Sequence, residues 1–301
     1  MTDRHDEIAA LLVLLREQKS SWGRIASQVA FEGSAFSLLT GAEGDGALFD
    51  LPVDEARIDE ARKDVRSWQS QGLQMVTVLD PQYPQRLLDI RETPPFLFYA
   101  GDLRRDDAGM SLVGSRNASP DALRLAGDIA RFLVDQDMTV ISGLAAGIDA
   151  AAHRAALGSG GRTVAFIGTG ITRAYPAANA DLQQEVAERG LVLSQFYPEA
   201  PPTKQSFPMR NASMSGYGLA TIVVEAGEHS GTRIQARLAG EHGRPVILTE
   251  KVASTTTWGG ALRGQPGVYV VDSMDDLAAA VREIQEQPRR VDEALAALMS
   301  A

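Results

Sequence analysis

Val113-Gly114-Ser115-Arg116 and Ser142-Gly143-Leu144-Ala145-Ala146-Gly147-Ile148-Asp149 decide how this chain is read. In both places a short apolar run, Ser111-Leu112-Val113 or Met138-Thr139-Val140-Ile141, gives way to small residues and then to a helical pattern. Two strand–turn–helix junctions in succession predict parallel strands whose C-terminal ends lie along one edge. Glycine lets the backbone approach a ligand closely, and the first N–H groups of the following helix lack intrahelical partners. Such an edge is suited to an anion, above all a phosphate.

The same alternation continues downstream. Strands are predicted at Thr163–Ile167, ending in Gly168-Thr169-Gly170, then at Leu191–Ser194, Thr221–Val224, Val246–Leu248 and Gly267–Val271. Helices are predicted from Ser119-Pro120, through His153, from about Asn179, over 231–242 and from about Met274, with a long proline-bearing loop over 197–208. This is an α/β pattern: a Rossmann-like, doubly wound, mainly parallel sheet. Upstream, residues 1–40 read as helical, with Ile8, Leu11, Leu12 and Leu15 at helical spacing and Ser20-Ser21 as a cap before Trp22, Ile25 and Val29. A turn-rich break at Gly41–Gly46 precedes a charged helix over 52–71. Met75–Leu79 and Pro94–Gly101 read as strands about the turn Asp80–Pro84. The expected organisation is a helical region over 1–70, a connecting strand–turn segment over 71–109, the Rossmann-like block over 110–287 and a short tail over 288–301.

Composition narrows the chemistry. The 301 residues contain no cysteine, which removes disulfides, thiolate metal sites and a cysteine nucleophile. His5, His153, His229 and His242 are scattered without metal-ligand spacing, so neither metal nor cofactor is expected. No apolar run reaches the roughly 18–20 residues that a membrane helix needs. The polar, acidic opening Met1–Glu7 lacks the order of a signal peptide, which predicts a cytoplasmic protein without membrane contact. The net charge of -10 argues on its face against a nucleic-acid binder, which usually carries a basic surface. The acidic excess lies in 1–110 and 272–301, however, leaving the central block nearly neutral and open to a local basic patch.

Six motifs in order carry a resemblance. They are Gly114-Ser115-Arg116; Ser142 to His153; Gly168-Thr169-Gly170; Tyr175-Pro176; Phe207-Pro208-Met209-Arg210-Asn211; and Glu225-Ala226 with Ser230-Gly231-Thr232. Over roughly residues 70–250 the chain resembles the DNA-processing protein A (DprA/Smf) family, a Rossmann-like fold that binds single-stranded DNA. The resemblance implies a non-enzymatic homodimer that protects single-stranded DNA and loads a RecA-type recombinase. The chain departs from the family pattern at Ala212, where a second arginine is frequent, and at Ala146, where arginine is also frequent. It departs again at Thr255–Ala261, which replaces the usual segment, and no C-terminal winged helix is read.

The residues expected to hold DNA phosphates and bases are Gly114, Ser115, Arg116, Ser142, Gly143, Gly147, Gly168, Lys204, Phe207, Arg210, Asn211, Ser230, Gly231 and Thr232. An arginine fork binds two phosphate oxygens, and a base stacks on an aromatic face while a cation holds the neighbouring phosphate. Plainer readings stand beside these: a tight turn with a surface arginine, glycines selected by helix–sheet packing, Phe207 as a core plug, and Asp149–His153 as a structural pair. Trp22, Ile25 and Val29 form either a partner face or simple core. The rival function is a nucleotide sensor or a phosphoribohydrolase-like N-glycosidase with Glu225 and Arg116 in its site. Against it, Val224-Glu225-Ala226-Gly227 stands where that class has PGGxGT. A dinucleotide dehydrogenase would need G-x-G-x-x-G after the first strand, and a serine hydrolase G-x-S-x-G; neither is present.

Overall fold

The computed structural model describes residues 3–40 and 55–299, with side chains as far as residue 287. The predicted Gly41–Gly46 break and the first residues of the charged helix lie outside them. In chain order come helices α1 (Arg4–Glu17), α2 (Trp22–Glu32), α3 (Ala35–Thr40) and α4 (Glu55–Ser70), then strands β1 (Gln74–Thr77), β2 (Phe96–Gly101) and β3 (Gly109–Val113). There follow α5 (Pro120–Asp135), β4 (Thr139–Ser142), α6 (Ile148–Gly158), β5 (Thr163–Phe166), α7 (Ala180–Arg189), β6 (Leu191–Ser194) and α8 (Ser206–Tyr217). The rest is β7 (Thr221–Val223), α9 (Thr232–Glu241), β8 (Val246–Thr249), α10 (Glu250–Thr255), α11 (Thr257–Leu262), β9 (Val268–Val271) and α12 (Met274–Met299), the last taking in most of the predicted tail.

One unit comprises Met1–Asp107 and Ala165–Ser213. Its α1 is buried at every position from Ile8 to Leu15, not only at the four that mark one face, because α3 and α4 both pack on it. The Glu7 carboxylate leaves α1 to cap α3, accepting from Ala35 N at 2.7 Å, Phe36 N at 3.1 Å and Ser34 Oγ at 2.7 Å. Ser21 caps α2 as expected, accepting from Arg24 N, and Ile25 and Val29 are fully buried, so they are core. Strands β1, β2 and β6 run antiparallel, with Val76 opposite Leu97 and Phe98 opposite Ser194. Trp22, Trp68, Phe96, Phe98 and Tyr197 form one aromatic cluster with ring centroids 5.1–6.0 Å apart. Each such pair adds about 0.5–1.5 kcal/mol beyond its area burial.

The other unit comprises Ala108–Val164 and Met214–Ala301, and is the Rossmann-like part. Its strands lie in the order β4-β3-β7-β8-β9, all parallel, with Ser111 beside both Ile141 and Thr221. Strands β3, β4, β7 and β8 are buried at every residue, the pattern of a parallel sheet covered on both faces. Helices α5, α6 and α12 supply the apolar cover, including Ile129, Leu133, Ala152, Leu277 and Val281. Helix α5 starts where the sequence places it: Ser119 Oγ accepts from Ala122 N, and Pro120 occupies the first turn, where no hydrogen bond is lost.

Candidate functional site

Strand β3 is the switch point of this sheet. The chain leaves it for β4 on one side and later returns to β7 on the other. Connections on the two sides diverge there, which opens a crevice beyond the C-terminal end of the strand. The residues at that end are Gly114, Ser115 and Arg116.

The turn is held from three directions. Ser115 N donates to Glu225 O at 2.7 Å, Ser115 O accepts from Ile148 N at 3.2 Å, and Ser115 Oγ accepts from Asn117 N at 3.1 Å. Gly147 has φ +79°, and a Cβ there would stand 2.2 Å from Ser115 O; one on Gly114 would stand 2.5 Å from Ile148 Cγ1. Both glycines are therefore required for the two motifs to meet. Leu144, buried, also has a positive φ of 55°, a strained conformation of the kind found where a turn is tightly determined. The Asp149 carboxylate determines it, accepting from Gly143 N at 3.1 Å and Ala145 N at 3.4 Å. An internal carboxylate thus sits where the N–H groups of this turn converge. Ser142 is fully buried and its hydroxyl donates to Leu112 O at 2.6 Å. Arg116 is exposed. Deeper in the unit, Thr163 Oγ1 donates to Val140 O at 2.7 Å and lies 2.7 Å from His153 Nδ1, so that ring nitrogen carries the proton.

Glu225 lies two residues beyond β7 and is half-buried. Its carboxylate accepts from Ser119 N at 2.8 Å, Ser119 Oγ at 2.7 Å and the ammonium of Lys251. Burial pushes its pKa up, but Lys251 and the two Ser119 donors outweigh this and hold it below the ordinary carboxylate value. A carboxylate kept ionised by three donors is ill suited to give up a proton. The loop beyond is fixed by the segment Thr255–Ala261: Thr257 N donates to Glu228 Oε2 at 2.7 Å and Trp258 Nε1 to Gly227 O at 3.3 Å. At the start of α9, Ser230 Oγ accepts from Thr232 N at 3.2 Å and donates to Thr232 Oγ1 at 2.9 Å, while Gly231 and Arg233 are exposed.

The remaining expected residues belong to the other unit. The proline-bearing loop ends at Gln205, and Phe207 and Pro208 stand in the first turn of α8, which the sequence pattern did not indicate. Thr203 and Ser206 start this helix by exchanging bonds, Thr203 N to Ser206 Oγ at 3.1 Å and Ser206 N to Thr203 Oγ1 at 3.0 Å. Phe207 lies over Gly168, where a Cβ would come within 2.8 Å of the ring, and its centroid is 5.6 Å from that of Tyr175. Tyr175 is 44% exposed and Lys204 is exposed. Arg210 is 6% exposed; its Nη1 donates to Phe166 O at 2.7 Å and its Nε to Asn211 Oδ1 at 2.9 Å. It secures the end of β5 and orients Asn211. Tyr175, Asp149, Ser119 and Lys251 were not among the expected site residues. Tyr175 and Asp149 lie within the quoted motifs and Ser119 marks a predicted helix start, whereas Lys251 has no sequence signal. Among the described residues no group of three or more His, Asp or Glu side chains is placed to hold a metal ion.

Comparison with known proteins agrees with this geometry. The family profile described as DNA recombination-mediator protein A matches residues 74–282. Protein Smf of Synechocystis is 38% identical over 184 residues, covering 60% of this chain and 46% of that protein; the chain thus spans about half the length of this relative. The X-ray structure of DNA processing protein A from Streptococcus pneumoniae aligns with a TM-score of 0.66 and 31% identity over 91% of this chain and 92% of that one. A structure of the Helicobacter pylori protein, solved for its single-stranded DNA binding mode, aligns with a TM-score of 0.62 over 70% of this chain and 96% of that one. At 23% identity it bears on the fold alone. From Gln74 through the switch point to α12, then, this chain belongs to the DNA recombination-mediator protein A (DprA/Smf) family.

Proposed function

We propose that this protein binds single-stranded DNA, protects it and passes it to a RecA-type recombinase, acting as a cytoplasmic homodimer without catalysing a reaction itself. The observation that carries the binding step is Arg116, exposed beside the half-buried Ser115 at the end of β3, the switch point of the parallel strands. A guanidinium at that edge is suited to a backbone phosphate. The other unit offers a second kind of contact: the exposed Tyr175 ring beside Phe207, with Lys204 in the preceding loop. Bases stack on such rings without regard to sequence. The family's description as a recombination mediator supports a DNA strand as the ligand and a recombinase as its recipient. The committed carboxylate of Glu225 favours binding over hydrolysis.

The test is strand binding by the Arg116→Ala and Lys204→Ala variants. Each removes an exposed cation, so each is expected to weaken binding to a dT oligonucleotide about tenfold in a protein that remains folded. Binding equal to wild type in both would place the DNA elsewhere. Loading is tested separately, by the rate at which a RecA-type recombinase forms filaments on coated single strands.

A further inference from the structure

A cavity of about 470 Å³ opens in the unit that contains α1–α4, lined by none of the residues expected to bind DNA. Its walls are the Trp22 ring, Pro94, Pro95 and the Met209 side chain, with Gln195 on its inner surface. The volume is that of a small-molecule pocket, and flat apolar walls with one polar group are its usual lining. These walls are preformed. Gly23 lies so close to the Arg91 carbonyl that a Cβ there would stand 2.1 Å from the oxygen, which locks the start of α2 to the Arg91–Pro95 turn. Thr93 Oγ1 ties the same turn to Leu87 O at 2.9 Å. Trp22 packs on Phe96 and Tyr197, yet remains half-buried and borders the cavity.

Gln195 singles out this cavity. The residue is only 5% exposed, and its Oε1 accepts from Ser213 Oγ. Among the described residues its Nε2 has no hydrogen-bond partner, and it is not one of the side-chain atoms sealed from solvent without one. A donor left open beside apolar walls is the kind of polar group that orients a ligand in a pocket. The cavity that it lines is where such a ligand would sit. At the mouth Arg91 and Glu92 pair with each other at 2.8 Å, so the entrance is near neutral. A phosphate is not what this site attracts; a neutral, flat, hydrogen-bonding ring is.

We infer that this cavity is a nucleobase pocket, in which one base lies among Trp22, the two prolines and Met209 while Gln195 Nε2 donates to a ring carbonyl oxygen. The inference rests on the DNA-binding reading for its ligand. Met209 connects the two sites: it is 39% exposed and lies on α8 between Phe207 and Arg210, so one helix touches both the stacking rings and the cavity. A base reaching this pocket comes either from the bound strand or from a free nucleotide, and the two sources are separable.

The experiment uses the full chain and two variants, Gln195→Leu, which removes the donor, and Met209→Glu, which charges the mouth at an exposed position and so serves if the first fails to fold. Binding of a dT oligonucleotide is measured across salt concentrations. A dT strand carrying 5-iodo-deoxyuridine, and free 5-iodo-dUMP, are photo-crosslinked and mapped. Expected are crosslinks from the strand to peptides containing Trp22 or Met209 and a three- to tenfold loss of affinity in both variants. The salt slope should match wild type, because a base contact releases no counterions. Crosslinks from free 5-iodo-dUMP alone would support the pocket with a free nucleotide as its source, and would set aside the strand reading. Wild-type affinity in both variants with crosslinks elsewhere would overturn the pocket and leave the strand reading intact. Absence of binding by both probes would overturn both.

Discussion

Arg116 and Arg210 look alike in the sequence, as cations within family motifs, and the fold gives them different surroundings. Arg116 is exposed at the switch point, whereas Arg210 is buried against the Phe166 carbonyl. Arg210→Ala is therefore expected to destabilise the protein by about 1.5–3 kcal/mol, the usual loss for a charged hydrogen bond, with a correspondingly lower urea midpoint. Arg116→Ala should lower the midpoint by less than Arg210→Ala does. Gly147→Ala is expected to destabilise by at least about 1–3 kcal/mol in the same measurement, because its φ of +79° disfavours a side chain and its Cβ would collide with Ser115 O. Glu225 makes a pH prediction. Its pKa is lower in the folded chain than in the unfolded one, so it contributes stability that is fully present above the unfolded value of about 4.5 and is lost as pH falls through the lower folded value. Urea titrations of wild type and Glu225→Gln should differ by a constant amount at neutral pH and converge in acid. A difference that grew as pH fell would contradict the assignment.

At the scale of elements, legibility followed periodicity. The β3–α5–β4–α6 run was readable because apolar strands, Ser119-Pro120 and the two glycine turns each give a local signal that agrees with the packing. Helix α8 was not readable. Its residues 212–217 are all buried, so no polar face alternates with an apolar one, and Pro208 and Gly216 suggest a loop. Its start depends on the reciprocal Thr203–Ser206 bonds and on Pro208 standing in the first turn, where proline is tolerated. Ser206→Ala is expected to destabilise by about 0.5–2 kcal/mol and to weaken strand binding with it, since α8 positions Phe207 and Asn211. Helices α10 and α11 were missed for a related reason: each is six residues long, too short for a period, and α11 is capped by Thr256 rather than announced by a pattern. The Lys251 partner of Glu225 comes from this unread segment, so no local signal could have assigned it.

For the whole molecule, the acidic composition and the proposed DNA binding are reconciled by where charge sits. Many of the basic side chains around the N-terminal helices are paired locally: Arg4 with Asp80, Arg16 with Asp64, and Arg62 with Asp6 and Asp59. Net charge thus says little about the switch-point edge, where Arg116 and Arg233 are exposed. The motif series made the Rossmann-like block legible without any fold comparison. The cavity beside Trp22 left no such trace, because its lining is drawn from four separate stretches of chain.

The central claim is that the switch-point edge holds the backbone of a DNA strand. Fluorescence anisotropy of a labelled poly-dT strand, titrated with the full chain from low to moderate salt, tests it most directly. The account predicts tight binding at low salt, affinity that falls steeply and linearly on logarithmic axes as salt rises, and displacement by single strands but not by duplex or mononucleotide. Arg116→Ala should reduce that slope by about one. Absence of binding at low salt, or displacement by a mononucleotide, would contradict it.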